Sequence, residues 1–126
     1  MNYHFSREEK LKSRKQIRAL FTEGISVKEF PLKLIYLKVP SETPVALQAA
    51  FSVPKRNFSK AVKRNRIKRL MREAYRLQKP HFFNKVPTSY ALMFLYIGRQ
   101  EPDFKKLNLT MHALMEKFLE QTTRPE

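Results

Sequence analysis

No cysteine occurs anywhere in the 126 residues. That excludes a disulfide framework, a thiolate zinc site and a cysteine nucleophile, and it fits a reducing compartment. Glycine is almost as scarce, with Gly24 and Gly98 alone, so there is neither a glycine-rich phosphate loop nor an Arg-Gly repeat arm. The three histidines are His4, His81 and His112. No two share ligand spacing along the chain, so no metal site is expected on the protein. The 11 carboxylates are scattered, and none forms the pair or cluster that acid–base or metal-assisted hydrolysis requires. The sequence therefore offers no catalytic residue of its own. No apolar run approaches the roughly 18–20 residues of a transmembrane helix, and the polar start Met1–Arg7 has no signal-peptide core behind it. The expectation is a cytoplasmic protein with no membrane partner.

Against these shortages stands a surplus of positive charge. Lys and Arg number 26, which leaves a formal charge of +15 at pH 7. Self-repulsion of that size weakens a compact state unless a polyanion neutralises it. Yet 42% of the residues are hydrophobic, with ten Phe, enough to bury the core of one domain.

Residues 1–12 read as a mobile basic arm, 13–121 as a single domain and 122–126 as a frayed end. Ser13 and Gln16 have the spacing of a capping box, and Ile17, Leu20 and Phe21 follow at helical intervals. Gly24 is a natural left-handed stop, so Arg14–Glu23 is predicted as an amphipathic helix. Leu32–Val39 is β-rich and lies between Pro31 and Pro40. Val45, Leu47, Ala49, Phe51 and Val53 alternate with smaller or polar residues, and Pro40–Pro44 is a turn signal, so these two runs are predicted to form a hairpin. Pro80–Pro87 reads as a linker. Tyr90–Ile97 is apolar throughout, which suits a central strand covered on both faces. From Asp103 onward, Phe104, Leu107, Met111, Leu114, Met115 and Phe118 repeat at helical spacing. The order α-β-β-α-β-α makes an α+β fold, a small mixed sheet packed with helices.

The segment Lys55–Arg76 holds ten cations and one anion, Glu73. Wound as a helix, it gathers Ile67, Leu70, Met71, Ala74 and Leu77 in one arc and Asn65, Lys68, Arg69, Arg72 and Arg76 in the opposite one. Cations at i, i+4 repel and cost helix stability, so a sequence that keeps Arg64, Lys68, Arg72 and Arg76 points to a use for them. Guanidinium forks match phosphate oxygens, and Asn65 offers a donor and an acceptor to a base edge or a 2′-hydroxyl. A charged face that is merely solvated fits a mixed-sign helix better than this one. A membrane-surface role would need an apolar face that the protein's own core consumes here. Nucleic acid is the partner class these residues favour.

The string Phe51-Ser-Val-Pro-Lys-Arg-Asn-Phe-Ser-Lys-Ala-Val-Lys-Arg-Asn-Arg-Ile-Lys-Arg-Leu-Met-Arg-Glu-Ala-Tyr-Arg76 closely resembles the signature of the bacterial ribonuclease P protein subunit, with Arg64-Asn65-Arg66 at its centre. The resemblance extends over roughly Leu11–Leu119. It implies a fold like domain 2 of ribosomal protein S5, with a left-handed βαβ crossover. It implies an accessory subunit to a catalytic RNA that hydrolyses precursor tRNA with bound Mg2+ and removes its 5′ leader, the protein itself holding no cofactor and having no obligate protein partner. Lys55, Arg56, Lys60, Arg64, Asn65, Arg66, Lys68, Arg69 and Arg72 would face that RNA. Ile17, Phe21 and Tyr36 would line a cleft for the single-stranded leader, where aromatic faces stack on bases of any sequence. Many members carry Phe at the position of Ile17, Gly at those of Ala50 and Ser59, and Asp near Tyr90. Two other classes stay open: a ribosomal or other structural RNA-binding protein without enzymatic association, and a DNA-binding regulator. The second lacks a helix-turn-helix pattern.

Overall fold

The computed structural model describes residues 10–39, 47–86 and 88–123. Helix α1, Arg14–Glu23, has the predicted bounds, and the Ser13 hydroxyl accepts from the Gln16 N–H at 3.3 Å. Gly24 ends it differently from the prediction. Its φ of −70° is extended rather than left-handed. The need for glycine is steric, because a Cβ there would come within 2.4 Å of the Leu20 carbonyl oxygen and 2.6 Å of Ile35 Cγ2.

Four strands follow: β1 (Ile25–Glu29), β2 (Leu32–Lys38), β3 (Leu47–Ser52) and, after helix α2 (Ala61–Phe82), β4 (Tyr90–Tyr96). Helix α3 spans Phe104–Thr123. The sheet order is β1-β2-β4-β3, with β3 and β4 parallel and the other pairs antiparallel. The predicted hairpin of β2 with β3 is therefore wrong. β2 pairs instead with β1 across a Phe30–Pro31 turn that contains a cis peptide bond. The reason lies in β4. Ala91, Leu92 and Phe94 are fully buried, so this strand is apolar on both faces and belongs in the middle of the sheet, where helices cover it above and below. It inserts between β2 and β3, and α2 becomes the crossover between the two parallel neighbours. The predicted turn over 40–44 lies outside the described residues.

The sheet has helices on both faces. On one face α2 and α3 cover a large core that includes Leu34, Tyr36, Phe94, Tyr75, Met111 and Phe118. On the other, α1 covers a smaller cluster of Leu11, Leu20, Ile35, Val39, Ala91 and Met93. The end of the expected arm is docked here: Leu11 is buried and its N–H donates to the Ala49 carbonyl at 2.9 Å. The expected linker at Pro80 is also helical. Pro80 lies inside α2, whose last turn drives Phe82 into the core at 1% exposure. That burial offsets the hydrogen bond that proline cannot donate. Helix α3 runs on through Thr122 and Thr123.

Candidate nucleic-acid interface

Helix α2 rests on the sheet and α3 through Ile67, Met71, Ala74 and Tyr75, all buried. Leu77, expected in this arc, is 39% exposed, because the buried stripe turns toward Tyr75, Lys79 and Phe82. The side facing away from the core carries the cations. Lys55 and Arg56 sit on a tight turn in which the Pro54 carbonyl accepts from the Asn57 and Phe58 N–H groups. Lys55, Arg56, Lys60, Lys63, Asn65, Arg66, Arg69 and Arg72 are exposed, and Arg64 and Lys68 are half-buried.

These groups are not equivalent. Arg64 donates through Nη1 to the carbonyls of Phe58 at 2.8 Å and Ser59 at 2.7 Å. It holds the loop that leads into α2, whose N-cap Lys60 supplies no side-chain cap. Arg66 pairs with Glu101 at 3.1 Å, and Lys63 reaches the same carboxylate at 3.9 Å. Arg76 grips Glu73 with two hydrogen bonds, of 2.6 and 3.1 Å. That contact holds the Glu73 carboxyl below its usual range. Arg72 lies over the Phe51 ring, 5.9 Å from its centroid. Among the described residues, Lys55, Arg56, Lys60, Lys68 and Arg69 have no carboxylate partner. Exposed ion pairs such as Arg66–Glu101 are worth little in water, so a phosphate can replace the carboxylate at small cost.

The residues expected to line the second cleft divide between the two faces of the sheet. Phe21 is 56% exposed on α1, one turn from half-buried Ile17. Tyr36 is on the opposite face, 5% exposed, packed edge-on against Phe118 and Tyr90. Its hydroxyl donates to Gln121 Oε1 at 2.7 Å, and burial, followed by the neighbouring Tyr90, raises its pKa above the usual value. Tyr36 is thus a core residue and cannot stack on a strand bound beside α1. The cause is strand alternation: Leu34 and Tyr36 point toward α3, while Ile35 points toward α1.

Strand register supplies residues that sequence patterning missed. Lys28 on β1 is directly opposite Lys33 on β2, Lys33 pairs with Leu95 on β4, and Leu95 pairs with Ser52 on β3. This row lies on the α1 face and is exposed or half-buried. Like charges directly opposite each other destabilise a sheet, so the Lys28–Lys33 pair weakens the hairpin unless an anion neutralises it. Neither lysine has a carboxylate partner among the described residues. Detecting the pair required β1, whose five residues Ile25–Glu29 bury only Val27 and give no periodic signal. The histidines show the same limitation. His81 on α2 and His112 on α3 lie with ring centroids 5.5 Å apart, although nothing in their spacing along the chain joins them.

The fold and the sequence both have counterparts among known proteins. The family model for ribonuclease P matches residues 5–119. The ribonuclease P protein component of Porphyromonas gingivalis is 40% identical over 122 residues, covering 93% of this chain and 85% of that one. That of Chlorobium phaeobacteroides is 40% identical over 126 residues, covering 89% and 86%. Among solved structures, the RNase P protein of Staphylococcus aureus superposes with a TM-score of 0.62 at 19% identity, covering 91% of this chain and 95% of that one. The Thermotoga maritima protein gives 0.56 at 22%, covering 93% and 100%. At those identities the structures establish the α+β fold, and the sequence matches establish the lineage: this chain belongs to the ribonuclease P protein family.

Proposed function

We propose that this chain is the protein subunit of a cytoplasmic ribonuclease P, which removes the 5′ leader of precursor tRNA. The observation that carries the proposal is the row of exposed cations along α2 and the turn before it, most of them without a carboxylate partner among the described residues. Lys55, Arg56, Lys60, Asn65, Lys68, Arg69 and Arg72 grip the backbone of the catalytic RNA. Arg66 joins them by exchanging Glu101 for a phosphate. Arg64 acts indirectly, by holding the Phe58–Ser59 loop so that Lys55 and Arg56 project.

The leader lies on the other face of the sheet. Phe21 offers an exposed ring for stacking, half-buried Ile17 an apolar edge beside it, and Lys28 and Lys33 a pair of charges for the leader's phosphates. An extended single strand fits a groove that combines apolar surface with cations. Mg2+ held by the RNA would supply the chemistry of phosphodiester hydrolysis. The protein's contact surface is dominated by ammonium and guanidinium groups, which repel a divalent ion, so the protein contributes binding and positioning.

Reconstitution with a bacterial catalytic RNA at low Mg2+ tests this reading. Precursor cleavage should rise on addition of the protein. A preparation that binds the RNA yet leaves cleavage unchanged favours a structural RNA-binding role. For the leader groove, Lys28→Ala/Lys33→Ala should weaken binding of precursor while binding of mature tRNA stays the same. Equal losses for both would remove that pair from the groove.

A further inference from the structure

The end of α2 farthest from the cationic row holds a cluster that RNA binding does not use. His81 on α2 and His112 and Glu116 on α3 bring one donor atom each into a group lying within 4.8 Å of one another. We propose that these three side chains bind one divalent transition-metal ion of the zinc class, which clips the last turns of α2 to α3.

The donor set comes first. Two imidazoles and one carboxylate, with a water completing a tetrahedron, suit Zn2+ and its neighbours and do not suit Mg2+ or Ca2+, which take oxygen ligands. The geometry is close. His112 Nε2 lies 2.8 Å from Glu116 Oε1, and donors on one tetrahedral zinc, at about 2.0–2.2 Å from the metal, stand roughly 3.3 Å apart. The His81 donor, within 4.8 Å of the other two, must come nearer by up to about 1.5 Å, and it is exposed in the last turn of α2, where a small rotation of its ring closes the gap. His81 and Glu116 both face solvent, so an ion has a path in.

The surrounding hydrogen bonds give the second, independent support. Gln78 donates its amide Nε2 to Asn108 Oδ1 at 3.0 Å, which fixes the amide's orientation and turns its Oε1 toward His112. That oxygen is 2.8 Å from His112 Nδ1. A carbonyl oxygen accepts only, so Nδ1 donates to Gln78 and the ring is held with Nε2 toward Glu116, where a proton or a metal ion can sit between the two groups. An oxygen acceptor behind the distal ring nitrogen is the regular support for a metal-bound histidine. The Phe82 ring, with its centroid 5.3 Å from that of His112, walls the inner side.

The test uses the full-length, metal-free protein without RNA, in a buffer that does not chelate, with Co2+ as the probe and Zn2+ as competitor. Wild type should take up one Co2+ per chain with the visible absorption of four-coordinate cobalt, and Zn2+ should displace it while excess Mg2+ does not. His81→Ala and Glu116→Gln, both at exposed positions that spare the fold, should each lower Co2+ affinity at least tenfold and abolish the Zn2+-induced rise in Tm. His4→Ala should change nothing. The proposal is overturned if wild type binds no Co2+, or if His81→Ala and Glu116→Gln bind it as wild type does. An imidazole–carboxylate contact without metal would give the first of these results.

Discussion

The two faces of the sheet are built to opposite standards. Under α2 and α3, Tyr36, Tyr90 and Phe118 meet edge to face with centroids 5.0–5.7 Å apart, and Leu34, Phe94 and Met111 are fully buried. Under α1 the only buried residue the helix contributes is Leu20, Phe21 stands exposed, and the row Lys28, Lys33, Leu95 and Ser52 remains open. One face holds the fold together, and the other leaves apolar and cationic surface free. Adjacent residues of β2 fall on either side of that division, Tyr36 within the core and Ile35 beneath α1.

Substitutions can separate the two roles. Phe118→Ala on the packed face should cost about 3–5 kcal/mol of stability, since a buried ring is deleted; urea unfolding measures it, and a loss below about 1 kcal/mol would show the aromatic cluster to be loosely packed. Gly24→Ala, where the new Cβ meets a backbone oxygen, should cost about 1–3 kcal/mol and displace α1 from Ile35. Arg69→Ala/Arg72→Ala should leave folding nearly untouched and flatten the dependence of RNA affinity on salt by roughly 0.7–0.9 in log–log slope for each phosphate no longer neutralised. An unchanged slope would take these two off the interface. Tyr36→Phe should cost about 0.5–1.5 kcal/mol through its hydrogen bond to Gln121. Because burial raises the Tyr36 pKa, its contribution is complete below the unfolded value of about 10 and fades as pH climbs through the folded one. The variant should therefore soften alkaline unfolding, although Tyr90 and Tyr96, raised likewise by burial, retain part of it. Phe21→Ala should move stability by no more than about 0.5 kcal/mol yet weaken single-stranded RNA binding by about 1–3 kcal/mol.

What the sequence disclosed was local. The cap at Ser13, the bounds of α1, the apolar β4 and the periodic face of α3 each depend on residues within a few positions of one another. Pairing partners did not emerge in the same way. Turn signals joined β2 to β3, whereas β4, arriving some forty residues later, took the place between them because it has no face that tolerates water. The charge of α2 was plain from composition, but the division of labour within it was not. That Arg64 is tied to two carbonyls and Arg66 to Glu101 depends on where the loops before α2 and α3 come to rest. Tyr36 reached the cleft only through the resemblance; the strand places it on the α3 face and puts Ile35 on the α1 face instead. Lys28 beside Lys33, and His81 beside His112, needed register and helix packing.

The crossover position of α2 has one more consequence. The helix is tethered at its start to β3 and at its end to β4, and those strands are hydrogen-bonded neighbours in the sheet. Swinging it away from the body would strip Ile67, Met71, Ala74, Tyr75 and Phe82 out of the core. Its charges are thus presented at a set angle and spacing before any RNA arrives, little freedom is surrendered on docking, and an RNA with a differently spaced backbone meets a ruler rather than a glove.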